Sequence, residues 1–208
     1  MDTTAIAQLL EPYIQLDETR LRAISKYVDL LLKWNARMNL TAIRMPEEII
    51  QRHFGESFFV ANDLLAQGAV EDAIDLGSGA GFPGVPFALL APQVRVTLIE
   101  SNHKKATFLK ELVFALGLAN VEIFGDRAEN YPKRASVVAM RAVESFDRTL
   151  PLAIRLVRPG GRIALMIGSA QVDAAMESAT QIEWRDPVVV PGGHSRVLLV
   201  GAKPAKVE

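Results

Sequence analysis

The sequence predicts a doubly wound α/β fold with a mostly parallel, seven-stranded sheet and an N-terminal helical extension. After Gly68, short apolar runs recur, and helix-length stretches separate the first five of them. That alternation is typical of βαβ units. The first run leads into a segment with glycine at every second position, the kind of turn at which such sheets bind ligands. A length of 208 residues, half of them hydrophobic, suits one domain with a modest appendage.

The helical extension is predicted over residues 1–68. Asp17 is placed to cap a helix whose apolar positions between Leu21 and Leu32 recur at three-and-four spacing. Pro46 followed by two glutamates suits the first turn of another helix. We therefore assign residues 1–68 to the extension and residues 69–208 to the main domain.

The apolar runs place the seven strands. They are expected at residues 73–76, 94–99, 121–124, 137–140, 163–167, 188–190 and 197–200. The last two flank Pro191-Gly192-Gly193, so we expect a hairpin that adds an antiparallel strand to the parallel sheet.

Composition excludes several classes of protein. The chain has no cysteine, which rules out a disulfide scaffold, a thiolate metal site and a cysteine nucleophile. Residues 1–13 carry no basic cluster of the kind that opens a secretory signal. The longest uncharged stretch, residues 76–94, is interrupted by glycines and prolines, unlike a membrane span. We expect a cytoplasmic monomer that binds neither a metal nor a membrane.

The glycine segment predicts a nucleoside-binding site. Gly77, Gly79 and Gly81 allow a tight turn and a close approach of ligand to backbone. Glu100 ends the next strand, where a carboxylate accepts hydrogen bonds from ribose hydroxyls. A dinucleotide site shares these features, and so an NAD-dependent oxidoreductase stays open, as does a purely structural turn.

Asp75 favours a different cofactor. Two residues before the first glycine, it is well placed for a cationic amino-acid end and badly placed for an anionic pyrophosphate. Asp-x-Gly-x-Gly-x-Gly followed by a strand-end glutamate resembles the signature of the class I methyltransferases, which are Rossmann-like proteins that use S-adenosyl-L-methionine. Asp126, Ala128 and Glu129 follow the third strand, where adenine would lie; a surface turn is the alternative there.

Arg141 is the catalytic candidate because it follows the fourth strand, at the ligand-binding edge of the sheet. The Asp/Asn-Pro-Pro-aromatic motif of exocyclic-amine methylation is absent, and carbon methylation needs the missing cysteine. A nitrogen with an in-plane lone pair, such as guanine N7, needs neither. Arg141 could hold the guanine O6 edge or the cofactor. Its structural alternative is an ion pair with Glu144 or Glu100.

Charge leaves the partner open. The net charge is −1, yet residues 127–162 contain eight basic residues against three acidic ones. Such a segment indicates either a surface facing nucleic acid or solvated helix faces.

Four motifs resemble one family across nearly the whole chain: Trp34-Asn35-x-x-Met38-Asn39-Leu40-Thr41, Arg52-His53-x-x-Glu56-Ser57, Asp75–Gly84 and Arg141-Ala142. The chain is similar to the bacterial glucose-inhibited division protein B family, small-subunit (16S) ribosomal RNA methyltransferases that form 7-methylguanosine in the decoding-centre loop. The resemblance implies a set of cofactor contacts, namely Gly77, Phe82, Ala128, Glu129 and Arg141. It also implies a set of RNA-facing residues, namely His53, Lys104, Arg127, Arg141 and Arg196.

Some residues read differently without the resemblance. On spacing alone, His53 and Trp34 are core residues, and Asn35 and Asn39 are capping residues between helices. The chain has Met166-Ile167-Gly168 where the family often has lysine before glycine. The expected function is methylation of guanine N7 in ribosomal RNA or the small ribosomal subunit. A small-molecule methyltransferase and an RNA-binding module without catalysis are the alternatives.

Overall fold

A sheet of eight strand segments forms the centre of the computed structural model, which describes residues 1–142, 146–193 and 195–205. The strands are β1 Asp72–Leu76, β2 Arg95–Ile99, β3 Val121–Phe124, β4 Ala135–Arg141, β5 Val157–Gly168, β6 Glu183–Trp184, β7 Val188–Val189 and β8 Arg196–Ala202. Their order is β3-β2-β1-β4-β5-β8-β6, with β7 also paired to β8. Strands β1 to β5 run parallel, and β8 runs antiparallel to β5. The predicted fold class is confirmed.

The outer edge of the sheet differs from the prediction in one detail. The predicted hairpin is present, because β7 pairs antiparallel with Val197 and Leu198 of β8. Strand β6 was not predicted, and it pairs with the other end of β8 at Gly201 and Ala202. Two short segments thus share one edge position, which keeps the sheet seven positions wide.

Eight α-helices surround the sheet in the described ranges. They are α1 Thr3–Leu10, α2 Glu18–Asn35, α3 Pro46–Glu48, α4 Glu56–Ala66, α5 Gly84–Leu90, α6 His103–Leu116, α7 Phe146–Leu156 and α8 Val172–Ser178. Asp17 caps α2 as predicted, since its Oδ1 accepts a hydrogen bond from the backbone N–H of Arg20 at 2.8 Å. A π-helical segment, Ile49–Gly55, joins α3 to α4 without a break. The apolar spacing did not predict it.

Both faces of the sheet are covered. Strand side chains alternate between two cores, so that Ala73 packs with α4 and α5 whereas Ile74 packs with α7 and α8. The extension belongs to the first core, in which Tyr27, Phe54 and Phe58 are fully buried. The boundary at residue 68 therefore marks a change of secondary structure within a shared core.

The strand order reverses between β1 and β4. At such a switch point the connections leave in opposite directions, which opens a crevice at the carboxyl ends of the two strands. The glycine segment follows β1 and Ala142 follows β4, so both line this crevice. Among the described residues, no helix is long and apolar enough to cross a membrane. The same residues contain no group of His, Asp and Glu that could hold a metal ion.

Candidate functional site

A cavity of about 600 Å³ lies at the carboxyl ends of the parallel strands. This volume is within the range of clefts that bind small cofactors. Six of the residues singled out from sequence line it: Gly77, Glu100, Asp126, Arg127, Ala128 and Glu129. The other cofactor contacts expected from sequence do not line it, namely Asp75, Gly79, Gly81, Phe82 and Arg141. Ala142 lines it from the β4 side. The structure therefore brings together the residues expected around a nucleoside.

Glu100 ties the glycine segment to α6. Its side chain is 7% exposed, and Oε2 accepts a hydrogen bond from the N–H of Gly79 at 2.9 Å. Oε1 accepts from the N–H of Asn102 at 2.8 Å. Each carboxylate oxygen has a second lone pair, so Glu100 can keep both contacts and still accept from ribose hydroxyls.

The glycines of the segment have different structural roles. Gly79 and Gly81 both have positive φ, of 55° and 95°. A Cβ on Gly81 would lie 2.5 Å from the Tyr27 hydroxyl, whereas a Cβ on Gly79 would meet nothing nearer than 3.8 Å. Gly81 is thus required by packing, and Gly79 lies beside open space.

Three stacked rings join the glycine segment to the extension. The rings of Tyr27 and Phe82 are 5.0 Å apart with 7° between their planes. His53 also stacks on Phe82, at 4.9 Å and 28°. The Tyr27 hydroxyl donates to the carbonyl of Ala80 at 2.6 Å. Phe82 does not line the cavity; its buried ring is in contact with Tyr27 and His53.

A buried cluster of charged groups lies beside these rings and is called here the Glu56 cluster: His53, Glu56, Arg141 and Arg196. The Nη2 of Arg141 donates to Glu56 Oε2 at 2.9 Å and to His53 Nδ1 at 3.0 Å. Arg196 forms an ion pair with the other oxygen of Glu56. Glu56 is 1% exposed, so both cations are paired to a carboxylate within the protein.

The partner of Arg141 differs from the structural alternative raised by the sequence. Glu100 binds backbone amides, and Glu144 lies outside the described residues. Glu56 was not predicted as a site residue although it belongs to the Arg-His-x-x-Glu-Ser motif. Its spacing from His53 was the available signal, since residues three apart on a helix share a face.

His53 is neutral in this setting. Because an arginine only donates, the Nδ1 of His53 accepts from Arg141, and its Nε2–H donates to the Thr41 hydroxyl at 2.8 Å. Burial, together with the nearby charges of Arg141, Arg52 and Arg196, lowers the pKa of His53 to about 3. Sequence spacing alone predicted a core residue, and His53 is indeed largely buried, but it contacts the catalytic candidate directly.

Asp75 and Arg141 each carry a buried atom without a partner among the described residues. Asp75 is 2% exposed; its Oδ2 accepts from the N–H of Gly84 at 3.0 Å, and its Oδ1 has no partner. Burial raises the pKa of Asp75 to about 7. The Nη1 of Arg141 is unpaired in the same way. Asp75 lies opposite Ala139, two residues before Arg141, and so both side chains project from one face of the sheet.

The basic segment over residues 127–162 does not form one surface. Arg155 donates to the carbonyl of Ala128 at 2.8 Å, near the cavity. Arg158 pairs with Glu71 at 2.8 Å, just before the amino end of β1. The two cations are thus near opposite ends of the parallel strands, Arg155 at the carboxyl ends and Arg158 at the amino ends. Lys104 is also separate from the cavity, on the far side of the first turn of α6.

Comparison with known proteins identifies the family. The family model described as rRNA small subunit methyltransferase G, GidB, matches residues 20–194. The chain belongs to this family. The ribosomal RNA small subunit methyltransferase G of Myxococcus xanthus is 40% identical over 178 residues, covering 83% of this chain and 80% of the relative. The protein of the same name from a Roseiflexus species is 37% identical over 205 residues, covering 92% and 87%. The resemblance recognised in the motifs is confirmed.

Solved structures agree on the fold. A SAM-dependent methyltransferase from Aquifex aeolicus superposes with a TM-score of 0.61 over 85% of this chain and 98% of its own, at 18% identity. At that identity the likeness concerns the fold alone. GidB membership therefore rests on sequence, and the doubly wound architecture on both comparisons.

Substitution of two glycines separates packing from conformation in this GidB protein. Gly81→Ala places a methyl group against the Tyr27 hydroxyl at positive φ, and should lower the free energy of unfolding by about 2 kcal/mol or more. Gly79→Ala meets only the conformational cost, about 1 kcal/mol. Urea denaturation measures both. Adding Tyr27→Phe should recover part of the Gly81→Ala loss, and equal losses in the two single variants would contradict the packing role.

His53 gives the protein a defined sensitivity to acid. The pKa of His53 is about 3 in the folded protein, against 6.5 for an exposed histidine in the unfolded chain. The stability that neutral His53 contributes is therefore complete above pH 6.5 and is lost as the pH falls toward 3. Between pH 7 and pH 5, the wild-type protein should lose about 2 kcal/mol more than His53→Gln. Urea denaturation at both pH values measures this. Exposed His103 is the matched control, because His103→Gln should follow the wild type; identical behaviour of all three proteins would refute the assignment.

Proposed function

We propose that this protein transfers the methyl group of S-adenosyl-L-methionine to N7 of a guanine in the decoding-centre loop of small-subunit ribosomal RNA. Membership of the GidB family over residues 20–194 is the observation that carries the proposal. The relatives are named as ribosomal RNA methyltransferases, and the cavity lies at the switch point where this fold binds ligands. We place the protein in the cytoplasm, where its RNA substrate would be.

The unpartnered atoms of Asp75 and Arg141 match the charges of the amino-acid end of the cofactor, although neither residue lines the cavity itself. An α-amino acid carries an ammonium group, which matches the free acceptor Asp75 Oδ1, and a carboxylate, which matches the free donor Arg141 Nη1. Glu100 would hold the ribose, and Ala128 and Glu129 would surround the adenine. Gly77 would allow close approach of the ligand to the backbone, as in related folds.

The loop that receives the cofactor is held by the protein before binding. Phe82 stacks on both Tyr27 and His53, and Gly79 donates to Glu100. We assign Phe82 to positioning the glycine segment, since its ring is buried against the extension and does not line the cavity. A preorganised loop loses little entropy when the ligand binds, which favours affinity.

The chemistry asks little of the side chains beyond alignment. The bound cofactor supplies an electrophilic methyl group on a sulfonium, and guanine N7 offers a lone pair in the plane of the base. No general base is needed, because guanine N7 carries no proton that a group such as neutral His53 would have to remove. Alignment and exclusion of water are the main contributions of the protein. We assign Arg141 to this task as the catalytic residue, held in one orientation by Glu56 and His53.

RNA recognition is assigned to one cation that lines the cavity, Arg127, and to two that lie outside it, Arg196 and Lys104. Arg127 is exposed and lines it, and Arg196 is one-third exposed on the side of the Glu56 cluster. Lys104 follows on the first turn of α6. Net charge is −1, so we expect recognition of RNA shape as well as charge, from either naked RNA or the assembled subunit.

The deciding experiment is transfer of labelled methyl groups to small ribosomal subunits and to naked ribosomal RNA, both from cells that lack this enzyme. The RNA is digested and the labelled nucleoside is identified. We expect label in 7-methylguanosine, and the better substrate identifies the form that is recognised. Label in another nucleoside would refute the N7 assignment. Absence of label with the cofactor bound would refute the RNA substrate and favour a small-molecule acceptor.

The Asp75 carboxylate should have opposite effects on stability and on cofactor binding, since it disfavours folding at alkaline pH and favours the bound cofactor. Its folded pKa of about 7 lies above the 3.8 of an exposed aspartate, so its stabilising contribution is lost as the pH rises from 4 through 7. Asp75→Asn should therefore raise the free energy of unfolding at pH 8 by on the order of 2–4 kcal/mol. The same variant should bind S-adenosyl-L-methionine at least about tenfold more weakly, because an ion pair is lost.

Urea denaturation and titration calorimetry measure the two effects. The matched control is Asp72→Asn, the same substitution at the amino end of β1, which should leave cofactor affinity unchanged. Unchanged affinity in Asp75→Asn would show that another group holds the ammonium.

A further inference from the structure

A groove of about 310 Å³ lies between the carboxyl-terminal end of α2 and the first turns of α6. We call it the Trp34 groove; it is lined by Lys33, Trp34, Arg37, Met38, Lys104 and Thr107. Lys104 lines this groove and Lys105 lines the cofactor cavity. The groove and the cavity thus lie on different sides of the first turn of α6.

The indole of Trp34 is a fixed, half-buried surface. Its Nε1–H donates to Glu111 Oε2 at 3.1 Å, and its ring packs edge-on against Phe108 at 5.8 Å and 63°. Met38 extends the apolar floor beside it. Spacing predicted a core residue, but the ring is only partly covered and lines an open groove. A ring already held in place loses little entropy when a flat ligand stacks on it.

Positive charge surrounds this ring. Lys33, Arg37 and Lys104 are exposed, and none has a side-chain hydrogen bond or ion pair with a described residue. The one carboxylate that contacts the ring is Glu111, so the groove and its wall carry a net charge of about +2 by simple count. Cations without internal partners around an apolar aromatic surface fit an anionic ligand with a flat apolar face.

The α6 side of the groove continues to a second aromatic ring. Lys104, Thr107, Glu111 and Phe114 follow the three-and-four spacing of one helix face. Phe114 is 89% exposed, the most exposed large hydrophobic side chain among the described residues. Phe114 lies beyond the groove and Glu111 lies between the two, so the combination of ring and cations is confined to the groove itself, where Trp34 is surrounded by Lys33, Arg37 and Lys104. An aromatic ring beside cations is the arrangement on which single-stranded nucleic acids stack.

We propose that the Trp34 groove binds an unpaired nucleotide of the RNA substrate, at a position other than the methylated guanine. The base stacks on Trp34, and the adjoining phosphates lie against Lys33, Arg37 and Lys104. The proposal rests on the proposed function in that the substrate is RNA. It adds Trp34, Lys33 and Arg37 to the binding surface, and it gives a protein of net charge −1 a concentrated site for phosphate.

Charge reversal tests the groove against a matched control. The double variant Lys33→Glu/Arg37→Glu changes the charge of the groove. Lys133→Glu/Arg134→Glu makes the same change of charge just before β4, at the amino ends of the parallel strands and away from the groove. For naked small-subunit RNA, we expect the groove variant to raise KM about tenfold and to reduce the salt dependence of binding by about two counterions. Both variants should keep wild-type affinity for S-adenosyl-L-methionine. Equal effects of the two variants on KM would overturn the proposal.

Fluorescence reports the stacking directly. The chain has two tryptophans, so Trp184→Phe leaves Trp34 as the sole indole. Naked small-subunit RNA should quench that emission, and should do so less in the Lys33→Glu/Arg37→Glu background. Methyl transfer to RNA without quenching would overturn the groove and leave the proposed function intact. If assembled subunits quench the emission and naked RNA does not, the assay is repeated with subunits and the double variant. Quenching that survives Lys33→Glu/Arg37→Glu would then assign the groove to a protein partner and overturn the proposal. Quenching by RNA without methyl transfer would support the groove while the proposed function fails.

Discussion

The site depends on one buried carboxylate, Glu56. It joins three parts of the chain, because it begins α4, pairs with Arg141 at the end of β4, and pairs with Arg196 at the start of β8. A buried charge is tolerated only when it is paired, so Glu56 and the two guanidinium groups require one another. From Arg141 the contacts continue to His53 and then to Phe82 in the glycine segment. The helical extension thereby contacts the glycine segment as well as covering the sheet.

Two buried groups give the site opposite responses to pH. Burial lowers the pKa of His53 to about 3 and raises that of Asp75 to about 7. Burial thus favours the neutral form of each group over the charged form. His53 is compensated by its hydrogen bonds to Arg141 and Thr41, whereas the Oδ1 of Asp75 has no partner among the described residues. A buried carboxyl with a raised pKa and an unpartnered oxygen is the pattern expected of a binding site, and it is the basis on which Asp75 is proposed to hold the ammonium of the cofactor.

Local signals account for what could be predicted from sequence. Strands such as β1 and β2 are short, mostly apolar runs, and glycine spacing marks the turn after β1. The residues around the cavity, such as Gly77 and Glu100, could therefore be predicted. Strand β6 has two residues, too few for any period. The π-helical segment differs from an α-helix in the spacing of its backbone hydrogen bonds, and no residue type in it indicates that difference. The pairing of Glu56 with Arg141 joins residues 85 positions apart, and spacing cannot show such a contact.

The amino-terminal end of α6 connects the two binding surfaces. Glu100 accepts from the N–H of Asn102, and the Asn102 side chain caps α6 by accepting from the N–H groups of Lys104 and Lys105. The carboxylate assigned to the ribose therefore contacts the residue that fixes the first turn of the helix. Lys105 faces the cofactor cavity from that turn and Lys104 faces the Trp34 groove. One helix cap thus fixes the turn that separates the cavity from the Trp34 groove, and on the functions proposed for them it sets the length of RNA that reaches both.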